Sequence, residues 1–180
     1  MLKPSDQWHW YYDTELDRLM LNLGEDMLFK TQLAKKYLVN CALHENEFTV
    51  DDASAYQTFK ESCDLLDLNP YRKTELTLYC LASMRFHKPV QPKSWFFIPQ
   101  FSTLTPQEAD IVCLETEIDK SLFIVLEVGD SSSLCACVDI DGCLLNETKS
   151  LAFGETIKVM HDRMLLAQFS QGVQPVALVG

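Results

Sequence analysis

Nothing in this chain resembles a glycine-rich phosphate loop. Its 180 residues include only six glycines, and neither G-x-x-x-x-G-K nor G-x-G-x-x-G occurs. The usual backbone cradles for nucleotide phosphates are thereby excluded. No C-x-x-C pair is present, and His9, His44, His87 and His161 fall in neither H-x-x-x-H nor H-E-x-x-H, so the spacings of zinc sites are missing. No apolar run approaches the roughly 18–20 residues that span a bilayer. The opening Met1-Leu2-Lys3-Pro4-Ser5-Asp6 has neither the apolar stretch nor the small-residue cleavage site of a secretory signal. A cytoplasmic protein with no membrane partner is expected. Basic residues are scarce in the second half: residues 96–180 carry 4 Lys/Arg against 12 Asp/Glu, a net of −8. Residues 1–95 carry 11 against 14, a net of −3. Such a surface repels phosphate backbones, so nucleic acid is not an expected partner.

What is present suits a globular α+β chain, 47% hydrophobic by composition. Trp8, Trp10 and Tyr12 alternate, as do Leu19, Leu21 and Leu23, with turn residues Asp13–Asp17 between the two runs and Gly24-Glu25-Asp26 before Met27–Phe29. This pattern predicts a three-stranded antiparallel meander with an aromatic–leucine face. A short helix ending by Asn40 is expected around Leu33, Tyr37 and Leu38. Tyr56, Phe59, Cys63 and Leu66 form one stripe of an amphipathic helix over 51–68. Asn69-Pro70 opens a second helix, apolar nearly all round from Leu76 to Phe86 and so expected to be buried on two sides.

In Arg85-Phe86-His87-Lys88-Pro89-Val90-Gln91-Pro92-Lys93-Ser94-Trp95-Phe96-Phe97 the two prolines stop that helix. A cationic elbow leading into an aromatic strand is expected. Beyond it come short β-type runs at 111–114, 122–126, 134–140, 143–145, 157–160, 164–169 and 176–179, which suggest a small barrel or sandwich. Asp141-Gly142 reads as a two-residue hairpin turn pairing Ile140 with Cys143. That register sends Cys135 and Cys137 to one face and Cys143 to the other, so the three sulfurs would not form a metal site. Most of the seven cysteines (41, 63, 80, 113, 135, 137, 143) lie inside apolar periodic segments and read as small buried hydrophobes. His161-Asp162-Arg163 reads as a surface turn or salt-bridging segment rather than a catalytic cluster, because neighbouring strand residues point to opposite faces and would not converge on one site.

Four blocks, WHWYYDTELDRLMLNL (8–23), DDASAYQTF (51–59), RFHKPVQPKSWFF (85–97) and GETIKVMHDRM (154–164), occur in an order and spacing that resemble the ZapC family of bacterial cell-division proteins. The likeness is weakest between Phe101 and Ser150. It implies an N-terminal α/β domain, 1–94, followed by a twisted β-barrel-like domain, 95–180. It also implies a non-enzymatic accessory factor that needs no cofactor or metal, works at the midcell Z ring and binds the tubulin-like GTPase FtsZ. Such a factor bundles FtsZ filaments and lowers their GTPase activity. The implied partner element is FtsZ's flexible C-terminal tail, apolar and acidic. Candidate partner-binding residues are Trp8, Trp10, Leu19, Leu21, Leu23 and Phe29 around an apolar pocket, Lys88 and Lys93 at its rim, and Lys158 and Arg163 as cations of the acidic second half. A monomer is expected. The alternative from another class, a small β-barrel that binds nucleic acid, is opposed by the net −8 of the second half.

Overall fold

The computed structural model describes residues 2–169; the strand run expected at 176–179 lies outside the described residues. The meander forms as its alternation dictates. β1 (His9–Asp13), β2 (Arg18–Asn22) and β3 (Leu28–Lys30) are joined by β4 (Asn46–Glu47), giving an antiparallel sheet in the order β3-β2-β1-β4. Trp10 stands opposite Leu21 and Tyr12 opposite Leu19, so one face is aromatic and leucine-rich. The short helix expected before Asn40 is instead a pair of 3-10 turns, Lys35–Tyr37 and Asn40–Leu43.

Helix α1 (Val50–Cys63) opens with a capping box: Thr49 Oγ1 accepts from Asp52 N, and Asp52 Oδ2 accepts from Thr49 N, both at 3.0 Å. Asp52 is 2% exposed, and the same Oδ2 also accepts Trp10 Nε1 at 3.1 Å and the Arg85 guanidinium. Arg85 in turn donates to Glu47 O at 2.9 Å. One carboxylate thus ties β1, the start of α1 and the end of α2 (Pro70–Phe86) together. α1 ends at Cys63, short of the expected Leu68. Leu66 folds back in a turn (N to Cys63 O, 3.1 Å) and remains buried with the rest of the stripe.

The second half is a five-stranded antiparallel sheet in the order β10-β7-β6-β5-β11, with β5 (Ile111–Glu115), β6 (Lys120–Val128), β7 (Ser132–Cys137), β10 (Thr156–Met160) and β11 (Leu165–Leu166). A two-stranded pair, β8 (Cys143–Leu144) and β9 (Ser150–Leu151), stands apart from it. The fold is α+β. Both faces of the five-stranded sheet are covered. Ile124, Leu126 and Ala136 join one core with Trp10, Leu21, Phe59, Leu81 and Phe86, so α2 is packed on two sides as its composition requires. Phe123, Val125, Cys135 and Cys137 face a second core with Phe97, Leu151 and Val159.

The hairpin register expected at Asp141-Gly142 is wrong. A turn does close there (Gly142 N to Asp139 O, 2.9 Å), but β7 already lies between β6 and β10 and offers no free edge. Cys143 pairs with Leu151 on β9 and shares the second core with Cys135 and Cys137. The three thiols therefore lie in one core, contrary to the register argument. Burial pushes Cys135 and Cys137 up to about 12, and Cys143 upward as well, so all three stay protonated at neutral pH and suit packing better than metal ligation.

Candidate functional site

The elbow is tied to the sheet rather than free in water. His87 caps α2 in an extended conformation, and Lys88 N donates to Tyr37 O at 2.8 Å. Lys93 N then donates to Lys158 O (2.8 Å), and Met160 N donates to Ser94 Oγ (2.8 Å). Because β10 is an edge strand, these bonds satisfy the row of groups that an edge leaves open. The expected aromatic strand after the elbow is a 3-10 turn, Ser94–Phe96. Trp95 is consequently 71% exposed while Phe97 enters the second core.

Clamping the elbow to β10 opens a groove of about 490 Å³. One wall is Val90, Gln91, Lys93 and Phe96; the other runs from Leu145 to Leu151 and along Glu155–Lys158. Lys93, Lys149 and Lys158 all line it. Two of the four Lys/Arg in the acidic second half thus face the same groove as the elbow lysine. Tyr37, Glu155 and Thr156 also line a second cavity of about 490 Å³, bordered by Arg18, Gln32, Leu33, Lys36 and Phe153. The two adjoin at these three residues along the seam between the first sheet and β10, where apolar and aromatic surface is set among cations and the carboxylates of Asp17 and Glu155.

His87 lies on this seam. Its Nδ1 is 2.7 Å from Lys88 O and must carry a proton, since a carbonyl only accepts; Nε2, 2.9 Å from Thr156 Oγ1, then accepts from that hydroxyl in the neutral ring. Burial holds its pKa below the ordinary value, the Lys88 carbonyl opposing in part. Below about pH 6.5 the unfolded chain takes a proton that the native ring still refuses, so stability falls as pH drops toward the lower folded pKa and is unaffected by this group above the unfolded one. Denaturant melts across that range are expected to show a shallower pH slope for His87→Gln than for the parent; parallel slopes would assign the effect elsewhere.

The expected binding residues are distributed unevenly. Trp10, Leu19 and Leu21 are 0% exposed and Trp8 is 3% exposed, which makes them core side chains. Leu23 is half-buried and borders a shallow groove with Met27 and the edge of Trp8. Phe29 is also half-buried and packs on Tyr79 at 5.6 Å between ring centroids. Of these six side chains only Leu23 and Phe29 keep appreciable surface in contact with solvent, and Leu21 does not. Lys93 and Lys158 meet in the main groove, whereas Lys88 is exposed beside it and is not part of its lining. His161–Arg163 is a 3-10 turn with an internal ion pair, as expected: His161 Nε2 bonds the buried Ser133 hydroxyl at 2.8 Å, and Arg163 pairs with Asp162 at 2.8 Å. Sequence reasoning missed Gln32, Lys36 and Lys149, which carry no motif, and Glu155, which lies in the GETIKVMHDRM block but takes no role from it. It also passed over Thr49-x-x-Asp52, where the capping-box spacing was a readable signal.

Residues 1–88 match the family described as Cell-division protein ZapC, N-terminal, and residues 89–170 match Cell-division protein ZapC, C-terminal. The chain belongs to the ZapC family. Among the similar relatives, the cell division protein ZapC of Vibrio vulnificus is 57% identical over 180 residues, all of both chains. That of Vibrio cholerae is 54% identical over 164 residues, 91% of each, and that of Proteus mirabilis is 37% identical over 166 residues, 91% of this chain and 90% of the relative. A role in cell division follows from membership of the ZapC family. Among the described residues, no helix is long and apolar enough to cross a membrane.

Proposed function

We propose that this ZapC-family chain is a cytoplasmic accessory factor without catalytic activity, which binds FtsZ at the Z ring, bundles its filaments and thereby lowers their GTPase activity. The observation that carries the reading is the seam groove, where Lys93, Lys149 and Lys158 gather beside Val90 and Phe96 on a chain of net charge −11. An acidic, partly apolar tail is the ligand such a groove complements, its carboxylates steered by the lysines and its apolar groups supplying contact area. Leu23 and Phe29 offer further apolar contact on the first sheet. Bundling by a monomer needs a second contact per molecule. The exposed Trp95, Ile98 and Ile118, which border another groove of about 580 Å³, are assigned to a neighbouring filament.

Co-sedimentation with FtsZ and GTP, using full-length and tail-deleted FtsZ, tests the reading. The protein is expected in the pellet with the first and depleted from it with the second; absence from both would reject FtsZ binding. Lys93→Glu combined with Lys158→Glu is expected to weaken tail binding at least about tenfold at low salt and to flatten its salt dependence, while the thermal melt stays near that of the parent. Unchanged binding would remove these lysines from the contact.

A further inference from the structure

We infer that an anionic segment lying in the lysine groove draws a proton from solvent onto His87, so that partner binding tightens as pH falls below neutrality; the inference rests on the tail-binding reading above. Three features of the fold place His87 for this. It caps α2, where the negative end of the helix dipole favours a cation. It lines the same groove as Lys93, Lys149 and Lys158 and is only half-buried, so protons can reach it. Its ring is held from both sides, by Lys88 O on the elbow at 2.7 Å and by Thr156 Oγ1 on β10 at 2.9 Å. Both partners also suit the charged ring. Nδ1–H goes on donating to the Lys88 carbonyl, and Nε2–H donates to Thr156 Oγ1, whose hydroxyl turns from donor to acceptor.

In the free protein the ring stays neutral, first because it is partly desolvated and then because the Lys88 ammonium opposes a second charge, with Glu127 on β6 pulling the other way. The Tyr37 ring, 6.0 Å away between centroids, adds no charge. Glu155 and Lys158 flank Thr156 along the groove, and Lys93 and Lys149 line it as well. Four lysines thus stand against two carboxylates around His87, and their summed field resists a proton. A carboxylate-bearing segment paired with the lysines cancels that field, leaving the helix end and Glu127 to favour the imidazolium. Linkage is reciprocal: a ligand that draws a proton is itself bound more tightly when the proton is present. The sign follows. Binding is indifferent to pH above the pKa that His87 has in the complex, strengthens as pH falls through it, and levels off below the pKa of the free protein.

The test is a synthetic peptide of the FtsZ C-terminal tail, titrated by fluorescence anisotropy into the full-length protein and into His87→Gln at constant ionic strength. Measurements at about pH 7.5 and about pH 5.5 leave ordinary peptide carboxylates, which titrate near about pH 4, ionised throughout. The parent is expected to bind at least about threefold more tightly at the lower pH, and His87→Gln to change by less than about 1.5-fold. A parent whose affinity does not rise, or a variant with the same rise, would overturn the role of His87 while leaving tail binding intact. Failure of the peptide to bind the parent at either pH would overturn the tail-binding reading and this inference with it. A measurement on the parent alone guards against a folding defect in the variant. The His87 ring resonances, followed by NMR against pH, should titrate at a higher midpoint with saturating peptide than without it; an unmoved or lowered midpoint would also overturn the proposal.

Discussion

Asp52→Ala is expected to destabilise the protein by about 3–5 kcal/mol, a large part of the roughly 5–15 kcal/mol that holds a domain folded. Three losses coincide. The capping box of α1 disappears, which alone costs about 0.5–2 kcal/mol. Trp10 Nε1 is left without an acceptor at a residue that is 0% exposed, a penalty of about 1–3 kcal/mol. Arg85 loses its carboxylate partner and keeps only Glu47 O. These contributions share one oxygen and do not add, so the total is set below their sum. Asp52→Asn should recover about half, because it retains an acceptor without the charge. Combining Asp52→Leu with Arg85→Met should cost less than Asp52→Ala, since it leaves no buried charge unpaired. Urea melts followed by tryptophan fluorescence read all three; a loss below about 1 kcal/mol for Asp52→Ala would mean that water replaces the carboxylate.

The parts of the fold that were legible in the sequence are those written in local periodicity. The β1–β2 hairpin and the two-sided burial of α2 follow from alternation and from the lack of a polar face. The errors have physical sources too. α1 stops at Cys63 because Asp64 and Asp67 place negative charge where the helix dipole disfavours it, and the chain turns so that Leu66 still reaches the core. β4 is two polar residues that form a strand only because β1 offers an edge, so no pattern announces it. The elbow's final aromatics read as a strand, but Ser94 spends its hydroxyl on Met160 N and coils the chain into a 3-10 turn. The site was less legible than the fold. Its cations come from positions 36, 93, 149 and 158, brought together by the β10 edge and by the β8–β9 pair. Mispairing Cys143 with Ile140 leaves the 145–150 loop unplaced, and with it Lys149.

Leu21→Arg is expected to prevent stable folding rather than to open a selective defect in partner binding. Leu21 stands between Trp10 on β1 and Phe29 on β3 and is 0% exposed. Removing the leucine forfeits about 1.5–3 kcal/mol of burial. The incoming guanidinium adds volume to a packed core and a charge without a partner, several kcal/mol more. The sum rivals the whole stability of the chain, so the variant should lose its cooperative melt and its near-ultraviolet circular dichroism. Leu23→Ser and Phe29→Ser serve as the contrast. Both side chains keep part of their surface in water, so these variants should retain the melt to within about 2 kcal/mol while weakening FtsZ binding. The comparison separates a core from a pocket, because loss of FtsZ binding by Leu21→Arg carries information about the interface only if the variant is folded. A Leu21→Arg protein that melts cooperatively within about 1 kcal/mol of the parent and fails to bind FtsZ would return Leu21 to the binding surface, with the first sheet opening to admit the tail.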